Sequence, residues 1–109
     1  MAHMLITCTA SAFIILGSIE YSHAEDLFKN ADIAYGEYLA GECVTCHSSG
    51  SSGGNIPNIA GVNAKIIASA LHSFQTKERE NKVMQLVAER LDNEQIASLA
   101  VYFASLKSE

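Results

Sequence analysis

The run Cys43-Val44-Thr45-Cys46-His47 carries the residue types and the spacing from which chemistry can be read. Two thiols three residues apart lie on one side of a helical turn. From there both can add across the two vinyl groups of a porphyrin, and the adjacent His47 imidazole can reach the iron. This C-x-x-C-H pattern reads as covalent attachment of haem c. Three other readings compete. A Cys43–Cys46 disulfide leaves His47 without a role. A thioredoxin-like redox pair expects a βαβ setting. A structural zinc site needs two more Cys or His ligands, and beyond the motif residues 25–109 offer only His72.

The second axial ligand comes by elimination. Met1 and Met4 fall in an N-terminal leader (described below), so Met84 is the one methionine of residues 25–109. It follows a helical stretch and the polar segment 77–82, where a loop-borne ligand is expected. Met/His ligation raises the reduction potential and suits electron transfer. Two alternatives stay open: His72, placed mid-helix beside Leu71 and Phe74, and a vacant sixth position. A lone methionine is also a common core filler.

The elements that must position these residues are helical. Residues 30–42 put Ile33, Tyr35, Leu39 and Ala40 on one stripe. Asn63 is a good N-cap for a second helix over 64–74. A short third covers 85–90. The fourth starts at Asp92, with Gln95 as its capping-box partner, and carries Ile96, Leu99, Ala100, Phe103 and Leu106 on one side. The serine- and glycine-rich run 48–54 reads as a surface loop beside the haem. No useful β-alternation and no repeat appears, so the fold class is all-α.

The chain has 109 residues, a single Pro, 49% apolar and 17% charged residues, which is one domain with enough apolar content for a core. Net charge is −5 with no Lys/Arg block, which removes the basis for nucleic-acid binding and for docking on anionic membranes. Residues 4–19 carry no charge, and Ser22-His23-Ala24 is a small-x-small site followed by Glu25-Asp26. This is the layout of a signal peptide cleaved after Ala24 and hence of a periplasmic protein, although no Lys or Arg precedes the apolar run. The rival is an uncleaved anchor. As a helix, residues 4–19 reach roughly 24 Å, short of a hydrocarbon core ~30 Å thick, so no stable insertion is expected. Cys8 does not suit lipid attachment, because the apolar run follows it. The single domain then spans 25–109, a size that needs a large apolar group to complete its core.

Gly36, the haem motif, Ile56-Pro57-Asn58-Ile59-Ala60-Gly61, Phe74, Val83-Met84, Leu91-Asp92-Asn93-Glu94-Gln95-Ile96 and Tyr102-Phe103-Ala104-Ser105-Leu106 together resemble class I cytochromes c. The likeness covers residues 30–107. Within the class it is most similar to the cytochrome subunit of flavocytochrome c sulfide dehydrogenase, with c553- and c4-type cytochromes next. The resemblance implies a small cytochrome c fold, about four helices wrapped around one covalently attached haem, with His47 and Met84 on the iron. It implies that the Pro57 carbonyl meets the outer nitrogen of His47, and that Gly36 lets the first helix cross the last near Tyr102 or Phe103. It also implies an electron-transfer protein that is no enzyme by itself, a subunit taking electrons from an FAD-containing sulfide dehydrogenase and passing them to a downstream acceptor. A freely diffusing carrier is the alternative. A five-coordinate haem enzyme or gas sensor is the third reading.

Overall fold

The computed structural model describes residues 26–48 and 56–108. The expected leader and nearly all of the serine- and glycine-rich run lie outside them. Five helices lie wholly among the described residues: α1 (Ile33–Leu39), α2 (Gly41–His47), α3 (Ala64–Gln75), α4 (Lys82–Ala88) and α5 (Asn93–Ser105). The fold is all-α, as expected, and no strand occurs among the described residues. None of these helices is long and apolar enough to cross a membrane.

The expected first helix is two. Ala40, 1% exposed, closes α1 with its N–H on the Gly36 carbonyl at 2.9 Å, and opens α2 by accepting from the N–H groups of Cys43 and Val44. Gly41 follows, a weak helix former by about 1 kcal/mol. The break lets α1 lie along α5 while α2 turns the haem motif elsewhere. Ile33, assigned above to the buried stripe, is instead 52% exposed. The face that α1 buries runs through Gly36 and Ala40.

α5 is the centre of the domain. Its N-terminus has the expected capping box: Asp92 Oδ1 accepts from Gln95 N at 2.8 Å, and Gln95 Oε1 accepts from Asp92 N at 3.0 Å. Ile96, Ala97, Ser98, Leu99, Ala100 and Phe103 are buried on it, and Ile67 and Ala68 of α3 join the same core. α1 and α5 share the most extensive helix contact. Ser98 is the one buried polar side chain among the described residues, and its Oγ accepts from Asp32 N, the cap of α1, at 3.1 Å. Gln95 Nε2 donates to Tyr35 Oη at 3.3 Å one turn away.

Gly36 makes this crossing possible. A Cβ built there would overlap the Ser98 carbonyl and stand 2.7 Å from Tyr102 Cβ. The Ser98 backbone sits inside a capped helix and cannot retreat. Gly36→Ala is therefore expected to cost about 3 kcal/mol in overpacking against ~1 kcal/mol of improved helix propensity. The net loss of about 2 kcal/mol should lower the thermal midpoint by roughly 10 °C for a domain this small. A thermal melt checks it.

Candidate functional site

α2 presents the motif. Cys43 and Cys46, at i and i+3, are thiols. Cys43 is half-buried and packs against the core formed by α3 and α5, whereas Cys46 is exposed. Burial, then the Glu42 carboxylate and Cys46, push the Cys43 thiol above its ordinary range. At neutral pH it is S–H, and S and H are what add across a vinyl double bond.

His47 ends α2, and its Nδ1 lies 2.8 Å from the Pro57 carbonyl oxygen. A carbonyl only accepts, so Nδ1 carries the hydrogen and Nε2 keeps its lone pair. That is the tautomer an iron ligand needs. The loop that offers Pro57 is held at several points. Asn58 Oδ1 accepts from Ala60 N at 3.1 Å, an Asx turn, and Ile59 packs on the core. Gly61 N donates to Phe103 O, in α5, at 2.8 Å. Gly61 has φ +76°, and a Cβ there would press on Leu106 O and on Ser108, so the loop closes against the chain that leaves α5. Backbone hydrogen bonds thus carry the position of the Pro57 carbonyl back to the core.

Met84 stands on a different helix. It lies not in a loop but in the first turn of α4, half-buried, with its N–H on Asn81 Oδ1 at 3.0 Å. The short third helix accordingly spans Lys82–Ala88 and not 85–90. Asn81 was the missed signal, an N-cap ahead of apolar residues at helical spacing: Val83, Leu86 and Val87. The polar segment before it is also more ordered than a solvated run. Arg79 N donates to Ser73 O at 3.1 Å, Gln85 Nε2 donates to Arg79 O at 3.0 Å, and the Arg79 guanidinium lies 5.0 Å over the Phe74 ring.

His72, the competing ligand, is half-buried on α3, and its Nδ1 is 3.2 Å from Gln75 Oε1. Gln75 Nε2 donates to Ala88 O at 2.9 Å and to Leu91 O at 2.6 Å. Sequence reading passed over Gln75, since a polar residue at a helix end gives no sign of what it reaches.

The donor set fits haem c. It offers two thiols, an imidazole with its Nε2 lone pair fixed, and a thioether. The same three segments carry the exposed apolar side chains Val44, Ile56, Val83 and Leu86, the last two 67% and 61% exposed. Among the described residues no group of three or more Cys, His, Asp or Glu side chains comes together to hold a metal ion, so the zinc reading finds no ligand set there.

No family model matches the chain. Known proteins do. A thiosulfate dehydrogenase electron acceptor of Thiomonas intermedia is 34% identical over 71 residues, 62% of this chain and 33% of that protein. Cytochrome c-554(548) of Halomonas halodenitrificans is 32% identical over 79 residues, 68% of this chain and 95% of the relative. Cytochrome c4 of Pseudomonas aeruginosa is 30% identical over 92 residues, 78% of this chain and 44% of the relative. The chain therefore spans a third of the first relative and less than half of the third, and nearly all of the second.

Proposed function

The chain belongs to the c-type cytochromes, electron-transfer proteins with covalently bound haem c, and on that premise we propose that it is an exported one-electron acceptor for a dehydrogenase of reduced sulfur compounds. The finer reading is the cytochrome subunit of an FAD-containing sulfide dehydrogenase, in the periplasm after cleavage behind Ala24. The observation that carries the electron-transfer site is the 2.8 Å hydrogen bond from His47 Nδ1 to the Pro57 carbonyl. It orients the ring, fixes the tautomer and raises the basicity of Nε2.

When bound, haem c supplies a one-electron iron couple. The chain's residues do the rest. Cys43 and Cys46 tether the macrocycle through thioethers. His47 Nε2 and the Met84 sulfur would hold the iron, which would leave no open site for substrate and make the protein a carrier of electrons, no catalyst by itself. A thioether ligand favours the reduced state and raises the potential. Val83 and Leu86 beside Met84, and Ile56 beside Pro57, offer an apolar rim for docking. The seven Lys and Arg residues of the whole chain form no run and the net charge is −5, which weighs against steering by a dense positive ring.

The dehydrogenase reading is supported by the resemblance stated above and by a relative named as an electron acceptor of thiosulfate dehydrogenase. The partner would oxidise its substrate by two electrons, and this chain would carry them singly to a downstream acceptor. A freely diffusing carrier is the second reading, favoured by the match to 95% of a relative that is itself no longer than one such domain.

Purification from the native periplasm at moderate ionic strength separates the two. The subunit reading expects coelution with a flavoprotein and haem reduction by sulfide that survives high salt, since an apolar contact is little screened. Elution alone, without flavin and with no reduction by sulfide or thiosulfate in the periplasmic extract, overturns the dehydrogenase reading. Elution alone with reduction in the extract assigns the diffusing carrier.

A further inference from the structure

We infer that Gln75 is a positioning residue for the Met84 sulfur, an inference that rests on the reading of Met84 as axial ligand. Its side-chain amide makes three hydrogen bonds whose directions are all fixed. The two Nε2 hydrogens go to the carbonyls of Ala88 and Leu91, at 2.9 and 2.6 Å. Oε1 is left as the acceptor, and it faces His72 Nδ1 at 3.2 Å. With the amide reversed, an oxygen would face two carbonyl oxygens. His72 therefore holds the amide the right way round by donating from Nδ1.

The carbonyls that Gln75 gathers stand at the C-terminal end of α4 and in the turn after it, where a helix leaves acceptors without intrahelical partners. α4 has seven residues, too few to hold a helix or a pose unaided. Its N-terminal cap, Asn81 to Met84 N–H, is local and fixes the helix start without fixing where the helix lies. Gln75 is different because it reaches from α3, whose Ile67, Ala68 and Phe74 are buried. Met84 and Ala88 are four residues apart and share one face of α4, and Ala88 is fully buried. A displacement of the Ala88 carbonyl is thus transmitted along one helical turn to the Met84 side chain. Arg79 ties the N-terminal end to α3 at one point, through Ser73 O, Gln85 and the Phe74 ring, so without Gln75 the helix can turn about its own axis and re-aim the Met84 side chain.

The test uses the haem-loaded protein. In the wild type, the weak long-wavelength methionine–iron band establishes Met84 as ligand, and its absence there overturns both readings at once. With that band present, Gln75→Leu is expected to weaken it, to lower the reduction potential, and to let imidazole displace the methionine about tenfold more readily, in keeping with the loss of two modest hydrogen bonds. His72→Leu should move the same readouts in the same direction by less. A Gln75→Leu protein with a lower unfolding midpoint but wild-type imidazole affinity and potential would reduce Gln75 to a structural role and sink the inference. Should Gln75→Leu fail to fold, His72→Leu decides: tighter imidazole binding upholds the inference, and wild-type affinity overturns it.

Discussion

Replacing Cys43 and Cys46 together with alanine is expected to leave a chain that does not fold. Half of the buried apolar residues among those described are alanines: Ala40, Ala68, Ala88, Ala97 and Ala100. The large ones (Ile67, Phe74, Ile96, Leu99 and Phe103) are few, while Ile66, Val83 and Leu86 stand exposed. A polypeptide core of this kind supplies at most about 3–5 kcal/mol, and an uncaptured haem takes its apolar contacts with it. The double variant should lose most far-UV helical signal and show no cooperative melt. Each single variant, keeping one thioether, should retain haem at reduced yield. Production in the cytoplasm without residues 1–24, where no haem is attached, should likewise give an unfolded chain. A stable, helical, haem-free protein from either route contradicts the idea that haem completes the core.

Met84→Ala is expected to remove the methionine–iron band, open the iron to added cyanide or imidazole, and lower the reduction potential by a sizeable share of the ~0.8 V range that axial ligands command. The substitution isolates the sulfur. Asn81 caps α4 through the Met84 backbone N–H, which alanine keeps, and alanine is the best helix former. The helix should therefore persist with its ligand gone. An unchanged oxidised spectrum would give the sixth position to His72 or to no residue.

Much of this was legible in the residues. The capping box of α5 is local, written in Asp92 and Gln95, and so was Asn63 ahead of α3. The type and spacing of Cys43, Cys46 and His47 announce their chemistry without a fold. The close approach of α1 and α5 was foreseen from the resemblance and not from periodicity, because Gly36 in a helix looks like a cost until its neighbour is known. Other features depend on contacts that no local pattern encodes. The break at Ala40 exists because α1 must follow α5 while α2 must not. Asn81 was hidden in a charged segment that reads as loop. Gln75, Ser98 and Gly61 owe their roles to partners 13 or more residues away, and such partners appear only once the helices are packed.

The crossing of α1 on α5 has a consequence for timing. The hydrogen bond that seals it, Asp32 N to Ser98 Oγ, joins residues 66 apart. During synthesis α1 emerges first of the five helices and α5 last. A seven-residue helix has no stability without its mate. Until α5 has packed, α1 and the adjoining thiols of α2 belong to an open chain, whereas the neighbouring pair α3 and α4 can meet earlier. Contacts so distant in sequence form late. A chain that does not close without haem still offers Cys43 and Cys46 after export, so tether comes first and closure afterwards: α1 and α5 shut over a chain that already carries its cofactor.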